Sequence, residues 1–143
     1  MIKTIIGIDP GVQNGVALWS KEEGYLSFHT VNFFDLLDLI DGLIRDDAKD
    51  VMFIVEDPRK NKPTFNRFKG KAVNEKISQD VGSNKRTTQL IEDYLRIAEV
   101  SFRLVRPMSS KWDHTIFAKI TGVKRKCSQH ARDAAKLIHG FKM

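Results

Sequence analysis

The chain has a single cysteine, Cys127, and a lone thiol closes no internal disulfide. It follows Lys124-Arg125-Lys126, so an exposed thiol in basic surroundings is expected rather than a nucleophile. Long apolar runs are also missing, and none approaches the length that a bilayer-crossing helix needs. No low-complexity tract and no internal repeat stands out. Met1-Ile2-Lys3-Thr4 leads straight into a strand pattern, so no signal peptide is expected, and a reducing cytoplasm is the expected location. What remains is an ordinary globular composition. The 143 residues, 41% of them hydrophobic, are enough for one domain, 1–143, with a real core.

The net charge is +6, and its distribution is more informative. Residues 1–57 hold four Lys/Arg against eleven Asp/Glu, a balance of −7; residues 58–143 hold twenty against seven, a balance of +13. A basic surface facing a few acidic side chains suits a metal-dependent nuclease, with cations on phosphates and carboxylates on metal. The competing reading is a generic basic surface.

Ile2 to Asp9 reads as a buried strand that stops at Pro10-Gly11. Gly15–Trp19 and Tyr25–Val31 read as two more, turning at Gly24, and the three make an antiparallel meander. Asn32 is a candidate N-cap, and Leu36, Leu37, Ile40, Leu43 and Ile44 predict an amphipathic helix over 33–46. The continuous apolar run Val51-Met52-Phe53-Ile54-Val55 suits a central strand covered on both faces. Residues 57–82, with Pro58, Pro63, Gly70, Gly82 and many charges, read as a long exposed loop. A helix is expected over about 83–99, then a strand over Phe102–Val105. Ser109 or Ser110 can cap a helix carrying Trp112, Ile116, Phe117 and Ile120, which stops at Gly122; Ser128 caps the last helix, running to about Gly140. A meander followed by helix–strand alternation implies an α/β fold, a mixed sheet with helices on both faces.

Asp9 ends the first strand and Glu56 the fourth. If these strands are parallel neighbours, their carboxylates meet, and two acids at that range repel and attract a cation. Asp57 is adjacent, but side-chain alternation aims it elsewhere, and it reads as a turn residue before Pro58. His130 and Asp133 share one face of the last helix, beside the small residues Ala131, Ala134 and Ala135 that allow close approach to a sheet. Taken singly, His130 reads as a hydrogen-bonded histidine and Asp133 as an ion-pair partner of Arg132 or Lys136. Taken with Asp9 and Glu56, they point to a site.

This combination resembles the RuvC family of Holliday-junction resolvases across nearly the whole chain. Ile6-Gly7-Ile8-Asp9-Pro10-Gly11 is similar to its first motif, Glu56 to its second acid, and His130-x-x-Asp133 to a His-first form of its C-terminal pair. The resemblance implies an RNase H-like fold. It implies two Mg²⁺ ions, replaceable by Mn²⁺, on Asp9, Glu56, His130 and Asp133, and Lys111 near the scissile phosphate. It also implies hydrolysis leaving a 5′-phosphate and a homodimer acting on branched DNA, with 83–99 as the candidate interface. Fewer residues separate Asp9 from Glu56 than in the bacterial enzymes, and the central segment differs from theirs. A compact phage-type member, at work in a bacterial cytoplasm, is the expectation that follows.

Arg59 to Lys71 holds six basic residues, two aromatics and no acid. Arg59, Lys60, Lys62, Arg67, Lys69 and Lys71 are candidates for phosphate, with Lys85 and Arg86 beside them. Phe65 or Phe68 can stack on an unpaired base, or else fold back onto the core. Lys124-Arg125-Lys126 is a secondary cluster. The competing functions are a nuclease of RNA–DNA hybrids or flaps with the same ligands, and an inactive DNA-binding relative of that fold. An actin-like ATPase needs two such domains, which this length does not hold.

Overall fold

A computed structural model of the chain describes residues 1–60, 71–108 and 110–141, and of 46, 47 and 71–81 the backbone alone. Strands β1 (Thr4–Asp9), β2 (Asn14–Ser20) and β3 (Gly24–Val31) form the meander. Helix α1 (Phe33–Asp47) leads through a short 3₁₀ turn into β4 (Val51–Glu56). A second 3₁₀ turn at Pro58–Lys60 precedes α2 (Lys71–Ile97) and β5 (Ser101–Val105), and α3 (His114–Thr121) and α4 (Gln129–His139) complete the described chain. The sheet order is β3-β2-β1-β4-β5, with β1 antiparallel to β2 and parallel to β4, and β4 parallel to β5.

Helices cover both faces because strand residues alternate between them. Ile5, Ala17, Trp19, Phe28 and Ile54 meet α4 through Ala131, Ala134, Ala135, Leu137 and Ile138, with Phe117 of α3. On the other face Ile6, Ile8, Val16, Phe53 and Val55 meet Leu36 and Ile40 of α1 and Ile91 and Leu95 of α2. The expected caps form: Asn32 accepts from the Asp35 amide at 2.8 Å, Ser128 from that of Ala131 at 3.1 Å, and Gly122 ends α3 with φ 77°.

Two expectations need correction. Residues 71–82 are helical, so α2 begins well before 83; one interior glycine costs a helix only about 1 kcal/mol, and good formers such as Lys71, Ala72, Glu75 and Lys76 precede Gly82. Helix α3 is capped by Asp113, whose carboxylate accepts from the Ile116 amide at 2.8 Å. Trp112 therefore precedes the helix, buried edge-to-face against His139. Among the described residues, no helix is long and apolar enough to cross a membrane.

Candidate active site

In the parallel β1–β4 ladder Ile8 lies opposite Val55, and each strand ends one residue later, at Asp9 and Glu56. Alternation gives Ile5 and Gly7 to the α4 face, so Asp9 follows them; Met52 and Ile54 lead Glu56 to the same face. The two acids thus stand side by side at adjacent strand ends. The turn after Asp9 is closed by fully buried Asn14, whose Oδ1 accepts from the Gly11 amide at 3.1 Å while its Nδ2 donates to the Val31 carbonyl at 3.2 Å.

Asp57 faces the other way, as its position requires. It is buried, and its carboxylate takes a paired grip from Arg59, Nε to Oδ1 at 2.8 Å and Nη2 to Oδ2 at 3.0 Å. The same guanidinium reaches α2, donating to Glu92 Oε1 at 2.6 Å and to Gln89. Burial works against the Asp57 charge, but the bonds from Arg59 outweigh it and hold its pKa below the ordinary value. Those bonds, with Arg96, lower that of Glu92 too.

Helix α4 brings the other two residues. Gly15 is the β2 partner of Asp9, and a Cβ there would stand 1.9 Å from the carbonyl oxygen of His130. At Gly7 an added Cβ would stand 2.3 Å from that of Ala134, one turn further along. The helix backbone therefore rests directly on two glycines of the sheet. This sets His130 Nδ1 3.2 Å from Asp9 Oδ2 and buries Asp133 beside them. The sequence reading credited the alanines and missed the glycines, although glycine inside a strand is a signal of close backbone approach.

Both Asp133 oxygens are engaged: Oδ2 accepts from Lys111 Nζ at 2.9 Å and Oδ1 from Gln129 Nε2 at 2.8 Å. Arg132 and Lys136, the expected ion-pair partners, turn instead to the segment before α3. Arg132 donates to the Trp112 carbonyl at 3.0 Å, the Cys127 carbonyl at 2.5 Å and Gln129 Oε1 at 2.7 Å. Lys136 Nζ donates to the Ser110 carbonyl at 2.5 Å. These bonds stitch the Lys111 segment onto α4.

The four acidic and imidazole groups and Lys111 line one cavity of about 200 Å³, together with Pro10, Pro58 and Asn84 of α2. Burial, then the charge of Asp133, pushes the Asp9 pKa up to about 7; burial, then the charge of Asp9, does the same for Glu56. Burial opposes the charge on Lys111, but Asp133, Glu56 and Asp9 outweigh it and hold its pKa above the usual value. Among the described residues, no group of three or more His, Cys, Asp or Glu side chains is arranged to hold a metal ion as the side chains stand. Asp133 is bound by Lys111 and Gln129, and Asp9 by His130. The donor set nevertheless fits a divalent cation: three carboxylates and an imidazole face one cavity, and two of the carboxylates carry charge that burial and neighbours disfavour.

Of the expected DNA contacts, Arg59 is committed inside the protein to Asp57 and Glu92. Lys60 donates to the Leu104 carbonyl at 3.0 Å. Lys85 is half-buried and Arg86 exposed on α2. Lys62, Phe65, Arg67, Phe68 and Lys69 lie outside the described residues, as does the side chain of Lys71.

Searched by sequence, the chain matches no family model and no curated protein. By structure it is similar to T. thermophilus RuvC in complex with a Holliday junction substrate. The TM-score is 0.57 and the identity 16%, covering 96% of this chain and 93% of that one. The fold is RuvC-like, within the RNase H-like class.

Proposed function

We propose that the chain is a Mg²⁺-dependent endonuclease of the RuvC type that cuts branched DNA, four-way junctions foremost. One observation carries the reading: Asp9, Glu56, His130 and Asp133 line a single cavity beside Lys111, in a RuvC-like fold. Asp9, Glu56, His130 and Asp133 would hold Mg²⁺, which when bound supplies the Lewis acidity for in-line hydrolysis of a phosphodiester. The protein's own groups do the rest. Asp9 and Glu56 are held rigidly by the sheet, and the contact with Asp9 fixes the His130 ring. Lys111 brings a positive charge to the cavity wall, where a phosphate enters. No covalent nucleophile is required.

A junction is cut on two symmetric strands, so the reading includes a homodimer. Leu90 and Ile97 are exposed on α2, the helix proposed as its interface. The test is cleavage of four-way, flap, RNA–DNA hybrid and plain duplex substrates with Mg²⁺, with and without a chelator. Chelator-sensitive cutting centred on the junction supports the proposal. Preference for hybrids or flaps transfers the site to another RNase H-like nuclease, and metal-independent binding without cutting leaves an inactive DNA-binding protein.

A further inference from the structure

We propose that Asn84 is a further substrate-contacting residue of this site, its side-chain amide donating to a phosphate oxygen of the DNA backbone that enters between α2 and the acids. The inference rests on the nuclease reading above and extends it to the wall of the cavity opposite α4. Asn84 lines the same cavity as Asp9, Glu56 and Asp133. It lies in register with Thr88, Ile91 and Leu95, all fully buried, on the inward stripe of α2. One turn before Thr88, that stripe leaves the core and meets the cavity, and there the residue is an amide.

The position of Asn84 is constrained. Thr88 Oγ1 donates to its backbone carbonyl at 2.8 Å, and its Oδ1 stands 3.8 Å from where a Cβ on Gly11 would lie, against the turn that follows Asp9. Among the described residues, nothing forms a hydrogen bond with its side-chain amide, unlike the Asp133 carboxylate of the same cavity, both of whose oxygens are engaged. A half-buried amide that faces a polar cavity and has no partner among the described residues is suited to a ligand.

The charge pattern explains why an amide serves here. Among the described residues the cavity holds three carboxylates and one lysine, which is already paired with Asp133. A second cation on α2 would pair with those carboxylates and compete with divalent metal. An amide donates to an anionic oxygen without adding charge, so it leaves the carboxylates to the metal.

The experiment compares Asn84→Ala, Asn84→Asp and Asn84→Ser with wild type by four measurements. These are Mg²⁺-dependent cleavage of a four-way junction, junction affinity, Mn²⁺ titration of the DNA-free protein by calorimetry, and thermal melting. Asn84→Ala is expected to lower kcat/KM about tenfold to a hundredfold, the loss of one hydrogen bond to a charged oxygen. Asn84→Asp, equal in shape but without the donor, is expected to lose at least as much, and Asn84→Ser to recover part of the loss. Mn²⁺ affinity and melting temperature are expected to stay at wild-type values in Asn84→Ala. Asn84→Asp matching wild type would show that only shape against Gly11 matters, and weaker Mn²⁺ binding by Asn84→Ala would make the residue a metal ligand; either overturns the proposal. Wild-type cleavage with an equally active Asn84→Ala removes the Asn84 contact and leaves the nuclease reading intact. A wild-type protein that cuts none of the substrates removes both.

Discussion

At the scale of single residues, the site depends on carboxylates held where their charge is disfavoured. Asp9→Asn and Glu56→Gln keep shape and remove that charge, so each is expected to abolish cleavage while junction binding persists. Near-normal Mg²⁺-dependent turnover by either variant would falsify their assignment as metal ligands. Gln129 touches no reacting atom in this reading; it acts through Asp133, whose Oδ1 it holds at 2.8 Å, and is itself held by Arg132. Gln129→Ala is expected to lower kcat about 10- to 100-fold, the usual effect of losing a partner behind a metal ligand, with little change in KM. Gln129→Glu is expected to be worse than Gln129→Ala, because it sets a second carboxylate beside Asp133. The measurement is steady-state cleavage of a junction, and a rise in KM with unchanged kcat would place Gln129 in substrate binding instead.

At the scale of elements, glycine plays two opposite parts in this fold. In β2 and β1 it makes room: at Gly15 a Cβ would meet the His130 carbonyl at 1.9 Å, so Gly15→Ala must push α4 off the sheet. A loss of about 1–3 kcal/mol is expected, read as a lower urea midpoint, together with loss of cleavage. In α1 glycine leaves open space: among the described residues nothing lies within 4 Å of a Cβ at Gly42, and Gly42→Ala is expected to raise stability by about 0.4–1 kcal/mol. The Arg59 clamp ties the segment after β4 to α2 and carries a pH signature. Its carboxylates, Asp57 and Glu92, have folded pKa values below their ordinary ones. Their contribution is therefore full above the ordinary carboxylate range and is lost as pH falls through it, below roughly pH 4. Wild type is expected to be more stable than Arg59→Met at neutral pH, with the gap closing in acid. Thermal melts of both proteins across pH 2–7 check this, and a gap independent of pH would mean that the clamp acts through packing. Caps were legible because their chemistry is local, as Asn32, Gly122 and Ser128 illustrate. The starts of α2 and α3 were not: Gly82 reads as a break that a helix in fact tolerates, and Ser110 and Asp113 are both good caps, between which the path of the chain out of β5 decides. Neither was the docking of α4 on Gly7 and Gly15, nor the arrival of Asn84 at the cavity, because both are set by packing between elements distant in sequence.

For the whole molecule, the uneven charge matters most. Residues 58–143 carry a balance of +13 and residues 1–57 one of −7. An interface led by phosphate contacts releases counterions, so junction affinity is expected to fall steeply, by about 10³-fold or more between 50 and 200 mM salt if six or more phosphates are engaged. A binding constant flat across that range, measured by fluorescence anisotropy, would remove the phosphates from the leading role. The mixed sheet with helices on both faces was legible from element order alone, because the run of strand, helix and strand leaves few right-handed topologies. The co-location of Asp9 and Glu56 followed from that topology. The ownership of each cation did not: Arg59 and Lys111 carry the same charge, yet one is locked between Asp57 and Glu92 and the other faces the cavity. Placing α4 last among the described elements also bears on synthesis. His130 follows Asp9 by 121 residues, and only the docked α4 carries it and Asp133 to the strand ends. A nascent chain folding from its N-terminus can pair β1 with β4 while the site is still half built. On the proposed nuclease reading, a chain whose α4 has yet to dock would lack two of the four groups that hold the metal and would leave the DNA around it uncut.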